Sequence, residues 1–176
     1  MKSVLDELKE YTSTSETFTI SRTVSAPRDL VWRVWTEQEH LKNWWGPKGF
    51  TMLSCTVDLQ PGGQFLYGMK NEQGVEMWGK WVFLEITPPE FFSYILSFSD
   101  ADGGTTRHFA SETWPLHMRC TVNFTEAEGK TTINLTNCAV NATPEESATF
   151  NGGRDGMRIG FGSTLDQLDT YLASLI

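Results

Sequence analysis

The sequence predicts an α+β domain: a strongly curved antiparallel sheet of about seven strands around one long C-terminal helix, with two short helices after the first strand. Three observations predict it. Apolar and polar residues alternate through most of residues 18–135, the period of a strand with one buried face. Met157, Phe161, Leu165, Leu168, Leu172 and Leu175 recur every three or four residues, the period of an amphipathic helix. A sheet with one apolar face must bury it, and that helix is the only long element able to cover it.

Taken in order, Phe18, Ile20 and Val24 alternate with Thr19, Ser21 and Thr23 and form a half-buried first strand. Arg22 shares the inward parity and needs an acidic or carbonyl partner there, or serves as an anchor for an anionic ligand. Ser25 or Ala26 opens the first helix, with Pro27 in its first turn and Leu30, Val31, Val34 and Trp35 on its buried face. Thr36-Glu37-Gln38-Glu39 reads as a capping box for the second helix, which Gly46-Pro47 ends. Leu53, Cys55, Val57 and Leu59 then share one strand face, and Pro61-Gly62-Gly63 turns the chain. Phe65, Tyr67 and Met69 share a face on the return, and residues 71–74 make another hairpin turn. Residues 77–86 are more continuously apolar, which leaves both Trp78 and Trp81 open as the inward residue. Pro88-Pro89 closes that run, and Phe92, Tyr94, Leu96 and Phe98 alternate again. Residues 99–117 are a long loop. Met118, Cys120, Val122 and Phe124, then Ile133 and Leu135, mark the last two strands, which turn at Glu128-Gly129.

The C-terminal part opens on a second capping box, Thr143-Pro144-Glu145-Glu146. Gly152, Gly156 and Gly160 follow at four-residue spacing. Each glycine costs about 1 kcal/mol relative to alanine inside a helix. The regular helix is therefore expected to start near Met157; the alternative is a glycine row that lets a ligand or another backbone approach. No repeat or linker divides the chain, so residues 17–176 read as one domain and residues 1–16 as an N-terminal extension expected to fray.

Composition narrows the function classes. A net charge of −8 argues against electrostatic binding of nucleic acid or an anionic membrane. Cys55, Cys120 and Cys138 are odd in number and far apart, which suits a reducing compartment and excludes a disulfide framework or thiolate zinc site. No apolar run has the length of a signal peptide core or a membrane span, so the expected location is cytoplasmic. Cys55 and Cys120 fall on inward parity and read as small core hydrophobes. The aromatic content is high: seven Trp, eleven Phe and four Tyr, with six of the Trp between Trp32 and Trp81. So many rings either fill a large core or wall a cavity.

Signatures of catalysis are thin, with no GxSxG, HExxH, P-loop or Rossmann glycine pattern. The long loop is the best candidate site, because it concentrates Arg107, His108, Glu112, Trp114 and His117. Arg107 and His108 suit the binding or polarising of a carboxylate or carbonyl at a cavity mouth, and Trp114-Pro115 suits a lid. The spacing of His108, Glu112 and His117 is irregular for a metal site, so neither metal nor cofactor is expected.

Several motifs point to one family. Ile20-Ser21-Arg22, Ala26-Pro27, Val31-Trp32, Trp35-Thr36 and Trp44-Trp45-Gly46-Pro47 open the set. Asp58, Pro61-Gly62-Gly63, Glu85-Ile86, Pro88-Pro89-Glu90, Thr131-Thr132 and Gly160-Phe161 through Leu165-Asp166-Gln167-Leu168 continue it. Over residues 17–173 the chain resembles the activator of heat-shock-protein-90 ATPase homologue family, with Phe161 where that family usually carries Trp. Ser97-Phe98-Ser99-Asp100, Arg107-His108 and Trp114-Pro115 resemble a bacterial-type stand-alone subgroup. The resemblance implies the START-like helix-grip fold, whose sheet wraps the C-terminal helix around an apolar cavity.

The expected function is binding of an apolar or aromatic small molecule between sheet and C-terminal helix, with no catalytic residue assigned. Tyr67, Trp78, Trp81, Tyr94, Arg107, His108, Trp114, Met118, Met157 and Phe161 are the candidate contacts. Two alternatives stand beside it. One is a module that binds a chaperone, and the other a cyclase- or hydratase-type enzyme using a cavity-mouth His or Tyr. A homodimer is compatible with the sequence.

Overall fold

The computed structural model describes residues 1–176. Seven strands form where the apolar residues alternate: β1 (Phe18–Val24), β2 (Phe50–Val57), β3 (Gln64–Asn71), β4 (Glu76–Thr87), β5 (Phe91–Phe98), β6 (Met118–Ala127) and β7 (Lys130–Ala139). They make one antiparallel sheet in the order β1-β7-β6-β5-β4-β3-β2. Helices α1 (Val4–Lys9), α2 (Arg28–Thr36), α3 (Gln38–Trp44), α4 (Pro144–Gly152) and α5 (Arg154–Leu175) complete the chain. The β6–β7 turn shows why its residues were legible. Glu128 and Gly129 both have positive φ, 55° and 75°, as a two-residue hairpin requires.

Leu165, Leu168 and Leu172 of α5 join the inner face of the curled sheet, together with α2 and α3, in one cluster of buried side chains. This is the helix-grip arrangement. Rings fill one end of it: Trp35 packs edge-on to Trp44 at 4.8 Å between centroids, and Trp32 and Trp35 both contact Phe92 and Phe124. Arg22 is half-buried and pairs with Asp169 and, at 2.9 Å, with Asp166, which clamps β1 to α5. Structural pairing is therefore the use this arginine finds.

Four local expectations are corrected. Leu53 and Leu59 are exposed rather than inward. The β2–β3 register shifts between Met52 and Ser54, so the extra residue reverses parity and turns Phe50 and Met52 inward with Cys55 and Val57. Thr36 does not cap α3, because it is the last residue of α2 and donates its hydroxyl back to the Trp32 carbonyl at 2.7 Å. Helix α2 starts after Pro27, which is its N-cap. Helix α5 begins at Arg154, ahead of Met157, and so contains Gly156, Gly160 and Gly162 in regular helix. The other box forms as expected, with Thr143 and Glu146 bonding each other's backbone N–H groups at 3.1 and 3.0 Å.

The N-terminal extension is ordered by contacts. Ser3 and Asp6 cap α1, and Leu8 is buried with Leu84, Ile95 and Val140 on the outer face of the sheet. A short helix of this length is marginal alone, and the apolar contact is what holds it.

Candidate functional site

Two glycines set which rings form the floor of the site. Gly79 faces inward beside Tyr67, and a Cβ there would lie 2.5 Å from the tyrosine oxygen. Gly68 faces outward, where the Trp78 ring lies against it; a Cβ there would meet that ring at 2.6 Å. The pairings Gly79↔Tyr67 and Gly68↔Trp78 thus sort the rings onto opposite faces. The ambiguity between the two tryptophans is resolved: Trp81 is fully buried on the inner face, stacked on Tyr94 at 4.2 Å.

Above this floor lies a cavity of about 460 Å³ between the sheet and the first half of α5. Gly156 and Gly160 form part of its helical wall, and a Cβ on either would meet nothing within 4 Å. Neither position carries a side chain to fill that space. Trp45-Gly46-Pro47 closes one side, and Met69, Met77, Met118 and Met157 line it with soft, adaptable side chains. The long loop forms the rim. His108 packs against Phe98 and Phe109, each at 4.7 Å, and Trp114 packs against Phe150 of α4 at 5.6 Å. Gly153 makes room for that indole, since a Cβ there would sit 2.9 Å from it.

The polar groups are few. No Asp, Glu, Lys or Arg lines the cavity. Thr164 donates to the Gly160 carbonyl at 3.0 Å, and the Ser97 hydroxyl bonds His117 Nδ1 at 2.8 Å. His108 Nδ1 accepts from the Ala110 N–H at 2.9 Å, which places the proton of the neutral ring on Nε2. Asn137 differs from these. It is 2% exposed, and its side-chain oxygen has no hydrogen-bond partner.

Of the ten predicted contacts, Tyr67, Trp78, His108, Trp114, Met118, Met157 and Phe161 border the cavity, Trp78 with its ring on the far face of the sheet. Trp81 and Tyr94 lie beneath it in the packed core. Arg107 stands outside the lining. It pairs with Glu146 at 2.5 Å and donates to the Trp114 carbonyl, so a carboxylate of the chain itself occupies the fork expected to meet a ligand. The Thr143 backbone N–H, followed by Arg107, holds the Glu146 carboxyl below the usual range. No three His, Cys, Asp or Glu side chains converge at metal-binding distance. Sequence reasoning missed Asn137, Thr164 and the Trp45–Pro47 corner. For Asn137 a signal existed: it is the lone amide in the inward row Ile133, Leu135, Asn137 and Ala139.

Burial holds the Tyr67 and Tyr94 hydroxyls above the ordinary phenol range, so both act as neutral groups. It also lowers the His108 pKa, and that of His117, where Lys80 and Arg107 add to the effect and Glu146 opposes it. The unfolded chain therefore takes up protons near pH 6.5 that the fold resists. This contribution is full above the unfolded value and declines as pH falls from there toward the folded value. The melting temperature should drop between about pH 7.5 and about pH 5.5, and drop less in a His108→Asn, His117→Asn double variant. Equal slopes would show that the two rings are not held neutral.

A family model described as "Activator of Hsp90 ATPase homolog 1-like protein" matches residues 25–173. The chain belongs to this family. No curated protein matches it. Among solved structures, a crystal structure of a protein from Nitrosomonas europaea is similar at a TM-score of 0.69 and 24% identity, covering 90% of this chain and 94% of that one. A solution structure from Arthrobacter aurescens reaches a TM-score of 0.74 at 22% identity, covering 93% and 91%. An AHSA1 protein from Silicibacter pomeroyi reaches 0.66 at 17% identity, covering 92% and 100%. At these identities the likeness speaks for the fold. This family member has the architecture of a ligand-binding or co-chaperone-like module, and none of its helices is long and apolar enough to cross a membrane.

Proposed function

We propose that the protein binds a small apolar or aromatic molecule in the cavity between its sheet and the first half of α5. One observation carries this reading: a space of about 460 Å³, walled largely by aromatic rings and methionines, without a charged side chain. Pockets for small molecules run from about 300 to 1,000 Å³ and combine apolar walls with a few placed polar groups. Burial supplies the driving force, at about 0.8 kcal/mol for each CH₂ removed from water.

Calorimetric titration with naphthalene and with biphenyl tests it. At least one should bind saturably at one site per chain and raise the melting temperature, since a ligand specific for the folded state stabilises by about 2.7 kcal/mol at a hundredfold excess over Kd. Failure of both to bind saturably would overturn the reading. Co-regulation of a chaperone is the second reading. The apolar side chains it would draw on are Phe109 and Ile159, which are 66% and 74% exposed. Under that reading Phe109→Ser with Ile159→Ser should abolish partner binding, while filling the cavity should leave it intact.

A further inference from the structure

We infer that the ligand is an uncharged molecule bearing a hydroxyl or amide, and that Asn137 is the residue that recognises that group. The inference rests on the cavity-binding reading and names the chemistry of the ligand. It begins from placement. Asn137 lies in the inner row of β7, paired across the sheet with Phe18 on one side and Cys120 on the other, both fully buried. Neither neighbour supplies a partner for a carboxamide, and the side-chain oxygen is left without one. Asn137 is also among the residues that line the cavity. A buried amide with unused capacity on a cavity wall is a recognition point, because the group that completes it arrives with the ligand.

Two other polar groups of the wall are already engaged, while Tyr67 and the His108 Nε2–H also border the cavity and are told apart from Asn137 by the substitutions below. Ser97 is engaged by His117, and Thr164 by the Gly160 carbonyl. A carboxamide both donates and accepts, so its natural complement is a hydroxyl or another amide. Ionised ligands are disfavoured on separate grounds. No charged side chain lines the cavity to pair with an ion of either sign, and for an anion the commitment of Arg107 to Glu146 and the chain's net charge of −8 add to the penalty.

The test compares naphthalene, 2-naphthol and 2-naphthoate by calorimetry on the wild type and Asn137→Leu. In the wild type, 2-naphthol should bind roughly 3- to 10-fold tighter than naphthalene, the net effect of one neutral hydrogen bond. The 2-naphthoate should bind at least about 100-fold weaker than 2-naphthol. Asn137→Leu should erase the preference for the hydroxyl while retaining naphthalene. Should leucine not fit between Phe18 and Cys120, Asn137→Ala serves the same comparison. A hydroxyl preference that survives both substitutions, or naphthoate binding as tight as naphthol, would overturn the inference and leave cavity binding standing. If none of the three probes binds the wild type, this inference is overturned, and the cavity-binding reading falls with it where biphenyl fails as well.

Discussion

Gly160→Leu should weaken binding of naphthalene at least about tenfold while leaving the protein as stable as the wild type or more so. Gly160 is a half-buried position inside regular helix α5, it lines the cavity, and a Cβ built there meets nothing within 4 Å. Leucine is a strong helix former, so replacing glycine in a helix interior recovers about 1 kcal/mol. Its branched side chain enters space that a ligand must otherwise occupy. Stability and binding therefore move in opposite directions, which a merely disruptive substitution does not do. Gly160→Ala is the control: it should give the helix gain and keep binding, because a single methyl group leaves the cavity open. Calorimetry with a thermal melt reads both quantities. Unchanged affinity in Gly160→Leu would place the ligand elsewhere.

Trp81→Ala should destabilise the fold by about 3–5 kcal/mol, the usual cost of truncating a fully buried large ring. Against a typical total of about 5–15 kcal/mol, one substitution removes about a fifth at the least and up to the whole. Trp81 is 0% exposed, stacks on Tyr94 and meets Phe65 and Trp45 edge-on at 4.7 and 4.8 Å. These neighbours come from β5, β3 and the end of α3, so collapse into the void would have to shift three elements together. The unpaired indole N–H of Trp81 offsets a little of the loss, since its burial already costs the native state. A urea titration should show a lower midpoint at unchanged slope. A loss below about 1 kcal/mol would show that the ring-filled end is not close-packed.

The two substitutions probe the filled and the open parts of one interior. At the end held by Trp32, Trp35, Trp44, Phe92 and Phe124, rings fill the space between sheet and helices. At the end bordered by Gly156 and Gly160, side chains stop short and the cavity remains. The aromatic excess therefore does both jobs that its abundance left open.

Much of this was legible because it is local. Strand parity depends on successive residues pointing to opposite faces, so Phe65, Tyr67 and Met69 were placed correctly by counting. The same counting failed at Leu53, where one bulged residue reverses the parity and no residue type announces it. Glycines at four-residue spacing are compatible with a late helix start as well as with an open wall. Only the packing distances around α5 distinguish the two. Arg107 and His108 were visible as chemistry, but the carboxylate that takes the arginine comes from Glu146, 39 residues away.

By itself the sequence determined the seven strands, the two short helices after β1, the long C-terminal helix, the one-sided faces and hence the curled sheet gripping a helix, for each of these follows from periods read over a few residues. The tertiary structure decided which tryptophan faces inward, what partners Arg107, and that Asn137 is buried without a partner. Above all it decided that a cavity exists. Its volume is a small difference between the space enclosed by distant elements and the side chains that fill it, and no local pattern encodes that difference.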